Sequence, residues 1–187
     1  MNKDLKPIMG IELILLFRDL EEAATKPATK MAFQTEHSME ASKDSDSTET
    51  KDGAVTTSST VEEEITVTTI MAREDPTADF LEEAFYENKI IEVWEIDKKN
   101  KNEEGLYKAE YRQCKITDFS KTASAEDPTE LELTLLTNGQ RQKGYTPLSK
   151  EQEKIAQYVF RDTEVYKGAE NEKNAIKKEE TTETNEV

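Results

Sequence analysis

Cysteine and histidine are nearly missing from this chain, with Cys114 and His37 the sole examples. One thiol can form neither an internal disulfide nor a thiolate metal cluster, which fits a reducing compartment. Any Ser-His-Asp or Cys-His machinery would have to be built around His37. Its neighbours are Glu36 and Ser38, so it reads as a surface or interface histidine. Cys114 has no activating motif and reads as a half-buried strand thiol. Glycine is scarce as well, at 6 residues, and no Gly-rich phosphate loop occurs, which argues against a dinucleotide fold. Long apolar runs are also lacking. The stretch from Ile11 to Phe17 is interrupted by Glu12 and closed by Arg18-Asp19, too short to span a bilayer. Asp4 precedes it and no small-residue cleavage site follows, so it does not read as a secretory signal.

Positive charge is in short supply. The 25 Lys and Arg face 41 Asp and Glu, for a net charge of −16. Sequence-independent DNA binding needs cations to neutralise phosphates, and an anionic membrane surface needs the same; neither suits this chain. An acidic surface supplies repulsion and solubility. Asp44-x-Asp46-x-Thr48 resembles the start of a calcium loop, but Glu49 stands where that loop wants glycine. Carboxylates are too abundant for any pair to mark a hydrolase. Aromatic residues make up 7% of the chain, too few to line a sugar groove. No catalytic, metal or cofactor site emerges.

The 187 residues, 34% hydrophobic and 35% charged, suit one domain with polar segments or surfaces that partners cover. Alternation of period two dominates. It occurs at residues 31–36, 61–71, 106–119 and 131–135; these and the stretches 11–18 and 90–97 are expected as strands. In 61–71, Glu63, Ile65, Val67 and Thr69 share one face. Ile116 and Phe119 do not share a parity, which predicts a bulge near Cys114 to Thr117. Residues 21–30, 98–105 and 122–128 read as loops. Asp75-Pro76 opens a helix expected over 75–88, with Asp75 as cap and Pro76 in the first turn. Residues 146–160 read as a second, shorter helix, with Ser149 and Gln152 at capping-box spacing. Between Ser38 and Thr60 the chain is Ser, Thr, Lys, Asp and Glu around Asp52-Gly53. Asp-Gly favours tight turns, so this segment reads as a loop or a long hairpin polar on both faces, ordered by packing on another subunit.

The order of these segments resembles the major tail protein family of long-tailed bacteriophages. Lys3-Asp4-Leu5-Lys6-Pro7-Ile8 leads into Ile14-Leu15-Leu16-Phe17-Arg18. Gln34-Thr35-Glu36-His37 precedes Asp44-Ser45-Asp46-Ser47-Thr48 and Thr50-Lys51-Asp52-Gly53. Glu62-Glu63-Glu64-Ile65-Thr66, Val93-Trp94-Glu95-Ile96-Asp97, Gln142-Lys143-Gly144-Tyr145 and Tyr158-Val159-Phe160 follow.

The resemblance implies a β-rich α+β fold: an antiparallel β-sandwich or half-barrel flanked by one helix, with a long hairpin and terminal arms. It implies a tail tube domain over 1–165, with the hairpin at 38–60, the helix at 75–88 and a C-terminal arm at 145–165. Residues 166–187 are left as an acidic tail without fixed structure. It further implies hexameric rings that stack into a tube through which DNA passes, with no cofactor and no membrane. The partners implied are the chain itself and the tape measure, tail terminator and distal tail proteins. The locations implied are the virion tail and, during assembly, the host cytoplasm. Asp44, Asp46, Lys51, Asp52 and Gly53 become candidates for the assembly loop. A soluble β-sandwich binding or adhesion module is the alternative reading of the same strands.

Overall fold

Strands with one wet face must lay the other against apolar cover, and a single helix supplies much of it here. The computed structural model describes residues 6–149 and Gln152. After a 3-10 turn at Gly10–Glu12 come β1 (Leu13–Asp19), β2 (Gln34–Ser42), β3 (Ser45–Thr50), β4 (Gly53–Ser58) and β5 (Glu62–Ile70). The helix α1 (Pro76–Tyr86) follows, then β6 (Ile91–Lys101), β7 (Tyr107–Thr122), β8 (Glu130–Thr137) and β9 (Gln142–Thr146). Seven strands form one antiparallel sheet in the order β1-β6-β7-β8-β5-β2, with β9 also on β7, while β3 and β4 pair only with each other.

β7, at 16 residues, organises the sheet. Along one side it carries β6. Along the other, Cys114–Thr122 pairs with β8 and Tyr107–Tyr111 with β9. β8 and β9 are therefore one line of chain, broken by the expected turn at Asn138-Gly139, where Gly139 has φ +91°. The end strands of the path approach without pairing. Gln34 Oε1 on β2 accepts from Leu15 N on β1 at 3.0 Å. His37 Nε2 lies 3.8 Å from Glu95 Oε2 on β6. The result is a half-barrel, not closed.

The larger core lies between the sheet and α1. Leu15, Phe17, Ile65, Val67, Val93, Cys114, Ile116, Leu131, Leu133 and Leu135 meet Ala78, Leu81 and Ala84 of the helix. A smaller core on the opposite face joins Ile14, Leu16, Ile96, Tyr107 and Ala109, with Ala28 and Leu148 against it. β1 is sandwiched between the two, which explains why Ile14 to Phe17 is a continuous apolar run with no alternation. The expected bulge is present, as a register shift between Ile116 and Asp118. It turns Phe119 inward to stack on Phe85, with ring centroids 5.8 Å apart.

Three expectations need correction. The strand read from Met31 begins at Gln34, because Met31 is fully buried and Phe33, at φ +50°, swings out to solvent. The charged segment 98–105 is shorter as a loop, since β6 continues to Lys101. Residues 142–146 form β9. Of the second helix, Thr146 belongs instead to β9. Ser149 and Gln152 do make the reciprocal capping bonds, at 2.7 and 3.2 Å. The remainder of that helix, most of the C-terminal arm and the tail at 166–187 lie outside the described residues.

The Asp75 carboxylate caps α1 through Thr77 N at 2.9 Å. It also accepts from Ala32 N at 2.8 Å, fixing the chain just before β2. Loss of a helix cap costs about 1 kcal/mol, and a second orphaned amide adds about 1 kcal/mol or more. Asp75→Ala should therefore lower unfolding stability by about 2 kcal/mol in urea titration. A change under about 0.5 kcal/mol would refute the dual role.

Candidate assembly surfaces

The polar segment is an ordered hairpin. Residues 34–70 form one excursion in which β2 and β5 pair at the root and β3 and β4 at the outer end. The two parts are joined where Ser59 N donates to Asp44 O at 2.8 Å and Asp44 N to Ser59 Oγ at 3.0 Å. Every residue of β3 and β4 is exposed. Six residues of strand reach about 20 Å. At the tip, Thr50 pairs with Gly53 across a Lys51-Asp52 turn. Thr50 Oγ1 donates to Gly53 O at 2.6 Å and accepts from Asp52 N at 3.3 Å. Gly53 has φ +127°, a backbone state glycine adopts without penalty.

The five candidates thus sit on one arm but not at one point. Asp44 is at the joint, Asp46 faces Thr57 across the ladder, and Lys51, Asp52 and Gly53 form the tip. Among the described residues no ion pair engages Asp44, Asp46 or Asp52.

The root of the arm holds an ionic network that sequence reasoning missed. The Arg112 side chain on β7 is 0% exposed. Its Nε donates to Glu63 Oε2 at 3.0 Å and its Nη2 to Glu110 Oε2 at 2.6 Å. Nη2 also touches the Met39 sulfur. Arg141 approaches both carboxylates, at 3.2 Å to Glu110 and 3.6 Å to Glu63, and Lys143 of β9 lies 3.6 Å from Glu110. The network ties β2, β5, β7 and β9 together where the arm leaves the sheet. Burial pushes the Glu110 carboxyl up, but the Arg112 hydrogen bond and the charges of Arg112, Arg141 and Lys143 outweigh it and hold the group below its ordinary value. A signal was available, since Glu63 shares the inward parity of Ile65 and Val67, where a lone charge demands a partner.

The sheet face turned away from α1 is different in kind. Cross-strand rows on β2, β5, β8 and β7 read Glu40, Glu64, Leu136, Lys115, then Ser38, Thr66, Thr134, Asp118, then Glu36, Thr68, Glu132, Ser120. Glu62 and Glu130 extend them at opposite ends. Carboxylates and small hydroxyls cover this surface. Its lysine, Lys115, is hydrogen-bonded to Asn88 Oδ1 at 3.3 Å. Glu40 faces Glu64 directly, a like-charge pair that opposes sheet stability.

Neither His37 nor Cys114 is set up for catalysis. Burial lowers the His37 pKa against the opposing pull of Glu95. Burial pushes the Cys114 thiol up to about 11, away from thiolate reactivity. No His, Cys, Asp and Glu group among the described residues is arranged to hold a metal ion. None of their helices is long and apolar enough to cross a membrane.

A half-open sheet backed by one helix, with a polar arm and an acidic outer face, leaves strand edges and an exposed hairpin open to contact with other chains. The chain belongs to the phage tail tube protein family, whose model matches residues 7–143. A protein of Staphylococcus phage phiMR25 described as a tail protein is 32% identical over 156 residues, covering 80% of each chain. The tail tube protein of Bacillus phage SPP1 is 26% identical over 138 residues, 74% of this chain and 52% of that one. The solved SPP1 tail tube structure superposes with a TM-score of 0.68 at 24% identity, covering 87% of this chain and 95% of the other. The tail of an empty gene transfer agent particle gives 0.54 at 14% identity, over 74% and 98%; that likeness is one of fold. The role is structural, in the tube of the virion tail.

Removing one partner of a buried ion pair leaves an unpaired charge and costs about 3–5 kcal/mol. Glu63→Leu should destabilise by that order in chemical denaturation. Glu110 adds a pH signature. Its folded carboxyl titrates below the ordinary 4.5, so its contribution is complete above that value and is lost as pH falls through the folded pKa. The stability gap between the wild type and Glu110→Gln should stay flat above the ordinary value and narrow on further acidification. A gap unchanged down to pH values well below the ordinary one would contradict the assignment.

Proposed function

We propose that copies of this chain close into hexameric rings that stack into the tail tube, with the acidic face lining the bore through which DNA passes. The observation that carries this reading is the placement of the carboxylate and hydroxyl rows on the sheet face opposite α1. A neighbour's strands would cover the unpaired edges of the half-barrel, which otherwise invite aggregation. Phosphates crossing the bore would meet repulsion within about 8 Å at physiological salt, with Lys115 the single cation in those rows and already bonded to Asn88. DNA then slides without binding.

The long hairpin, with residues 38–60 as its extent, and the C-terminal arm at 145–165 join one ring to the next. Residues 1–165 form the tube domain and 166–187 an appended tail. Asp44, Asp46, Lys51, Asp52 and Gly53 act in that stacking. The chain carries out no catalysis and takes no cofactor. Its partners are further copies of itself and, at the tube ends and within the bore, the terminator, distal tail and tape measure proteins. It is made in the host cytoplasm and ends in the virion.

Two measurements test the reading. Negative-stain microscopy of the purified protein should show tubes or stacked rings. Replacing residues 45–58 by a short turn should leave a folded subunit that no longer forms tubes; normal tubes from that variant would remove the hairpin from stacking. Separately, Glu64→Lys with Glu132→Lys should slow genome ejection from otherwise intact particles, by an amount that grows as salt is lowered. Ejection at the wild-type rate would remove that face from the bore.

A further inference from the structure

A cleft of about 520 Å³ opens between the start of β1 and the start of β2. Ile11, Leu13 and Ile14 form its apolar side, and Lys30, Gln34, Glu36, His37 and Lys98 line the rest. Among the described residues neither Lys30 nor Lys98 has a carboxylate within ion-pair distance. Gln34 spends its amide oxygen on Leu15 N, and its buried Nε2 has no partner. Lys30 Nζ donates to the Met31 carbonyl at 3.2 Å and feels the Asp75 charge, but two ammonium groups without an ion pair, against the single carboxylate of Glu36 in the lining, are conspicuous in a chain of net charge −16. Ile11, at the mouth, is 81% exposed, more than a large aliphatic side chain gains anything from.

The hairpin carries the complementary chemistry. Alternation along its ladder places Asp46, Thr48, Val55 and Thr57 on one face. Val55 is its large apolar residue and is 54% exposed. The Asp46 carboxylate has no ion-pair partner among the described residues. An apolar contact flanked by an anion on one side and by cations on the other is what a docking pair requires.

We infer that the cleft receives the hairpin of a second copy, with Val55 against Ile11 and Asp46 held by Lys30 and Lys98. This rests on the proposal that rings stack through the hairpin, and it names the acceptor. A volume of about 520 Å³ accommodates a few side chains, not a whole strand pair, so only one face of the hairpin enters. The attraction acts between partly exposed charges and is screened by salt, so the contact forms firmly only when repeated around a ring.

Charge reversal and covalent trapping test it. Lys98→Glu with Lys30→Gln should raise the protein concentration needed for tube formation about ten-fold or more, since a like-charge meeting costs several kcal/mol. Lys99→Glu, outside the cleft, should leave that concentration unchanged and controls for net charge. Adding Asp46→Lys to Lys98→Glu should recover most of the loss.

A second measurement avoids the charges altogether. Ile11→Cys with Val55→Cys, both at exposed positions, should give a ladder of disulfide-linked multimers from assembled protein under mild oxidation. Buried Cys114 takes no part. Normal assembly of the lysine variant together with no ladder would overturn the acceptor assignment while leaving hairpin stacking intact. Tubes formed without residues 45–58 would overturn the stacking proposal itself, and this one with it.

Discussion

Arg112 is the side chain through which four strands are held to one another. Its guanidinium lies out of water at the place where β2, β5, β7 and β9 diverge, and it reaches Glu63, Glu110 and Met39 at once. A buried cation of this kind tolerates little movement, because each displaced carboxylate leaves charge unsolvated. A hydrophobic residue in its place would pack but would not fix direction. A long polar arm needs direction, since nothing beyond Ser42 and Glu62 packs on the body. The network therefore does for the hairpin what the leucine rows of β8 do for the sheet.

The two faces of the sheet divide the work. Toward α1, apolar alternation on β5, β7 and β8 supplies cohesion, each fully buried large side chain contributing about 1.5–3 kcal/mol. Away from α1, Glu40 against Glu64 and the neighbouring acids work against it. Such an arrangement lowers the stability of the subunit and leaves that face acidic. The smaller core under β1, β6 and the start of β7 lies on the same side of the sheet as the acidic rows. There Arg18 pairs with Glu92 at 2.6 Å and lies 5.0 Å from the Trp94 ring centre.

What could be read from the chain alone was whatever local chemistry determines. Asp75-Pro76 starts the helix because a cap needs only its own next residues. The bulge near Thr117 was visible because Ile116 and Phe119 could not both face inward without it. β9 was not visible, since Gln142 to Tyr145 is exposed and its only reason to be extended is the backbone of β7, some thirty residues earlier in the chain. The partnership of Arg112 with Glu63 spans 49 positions, beyond any spacing rule. The hairpin candidates were legible as a polar hairpin around Asp52-Gly53. The acidic face was legible strand by strand, on β5 and β8, but its rows exist only once register aligns Glu36 with Thr68 and Thr68 with Glu132.

The bulge in β7 has one more consequence. An extra residue on one strand bends it and increases its twist, and here it lies within the part of β7 that runs beside β8, between Ile116 and Asp118. The extra residue also exchanges the parity that faces α1: before it Cys114 and Ile116 join the core beneath the helix, and after it Phe119 does. One added threonine, Thr117, thus reassigns inside and outside for the second half of the strand, and it is what puts Asp118 and Ser120 in line with Thr134 and Glu132 on the polar face.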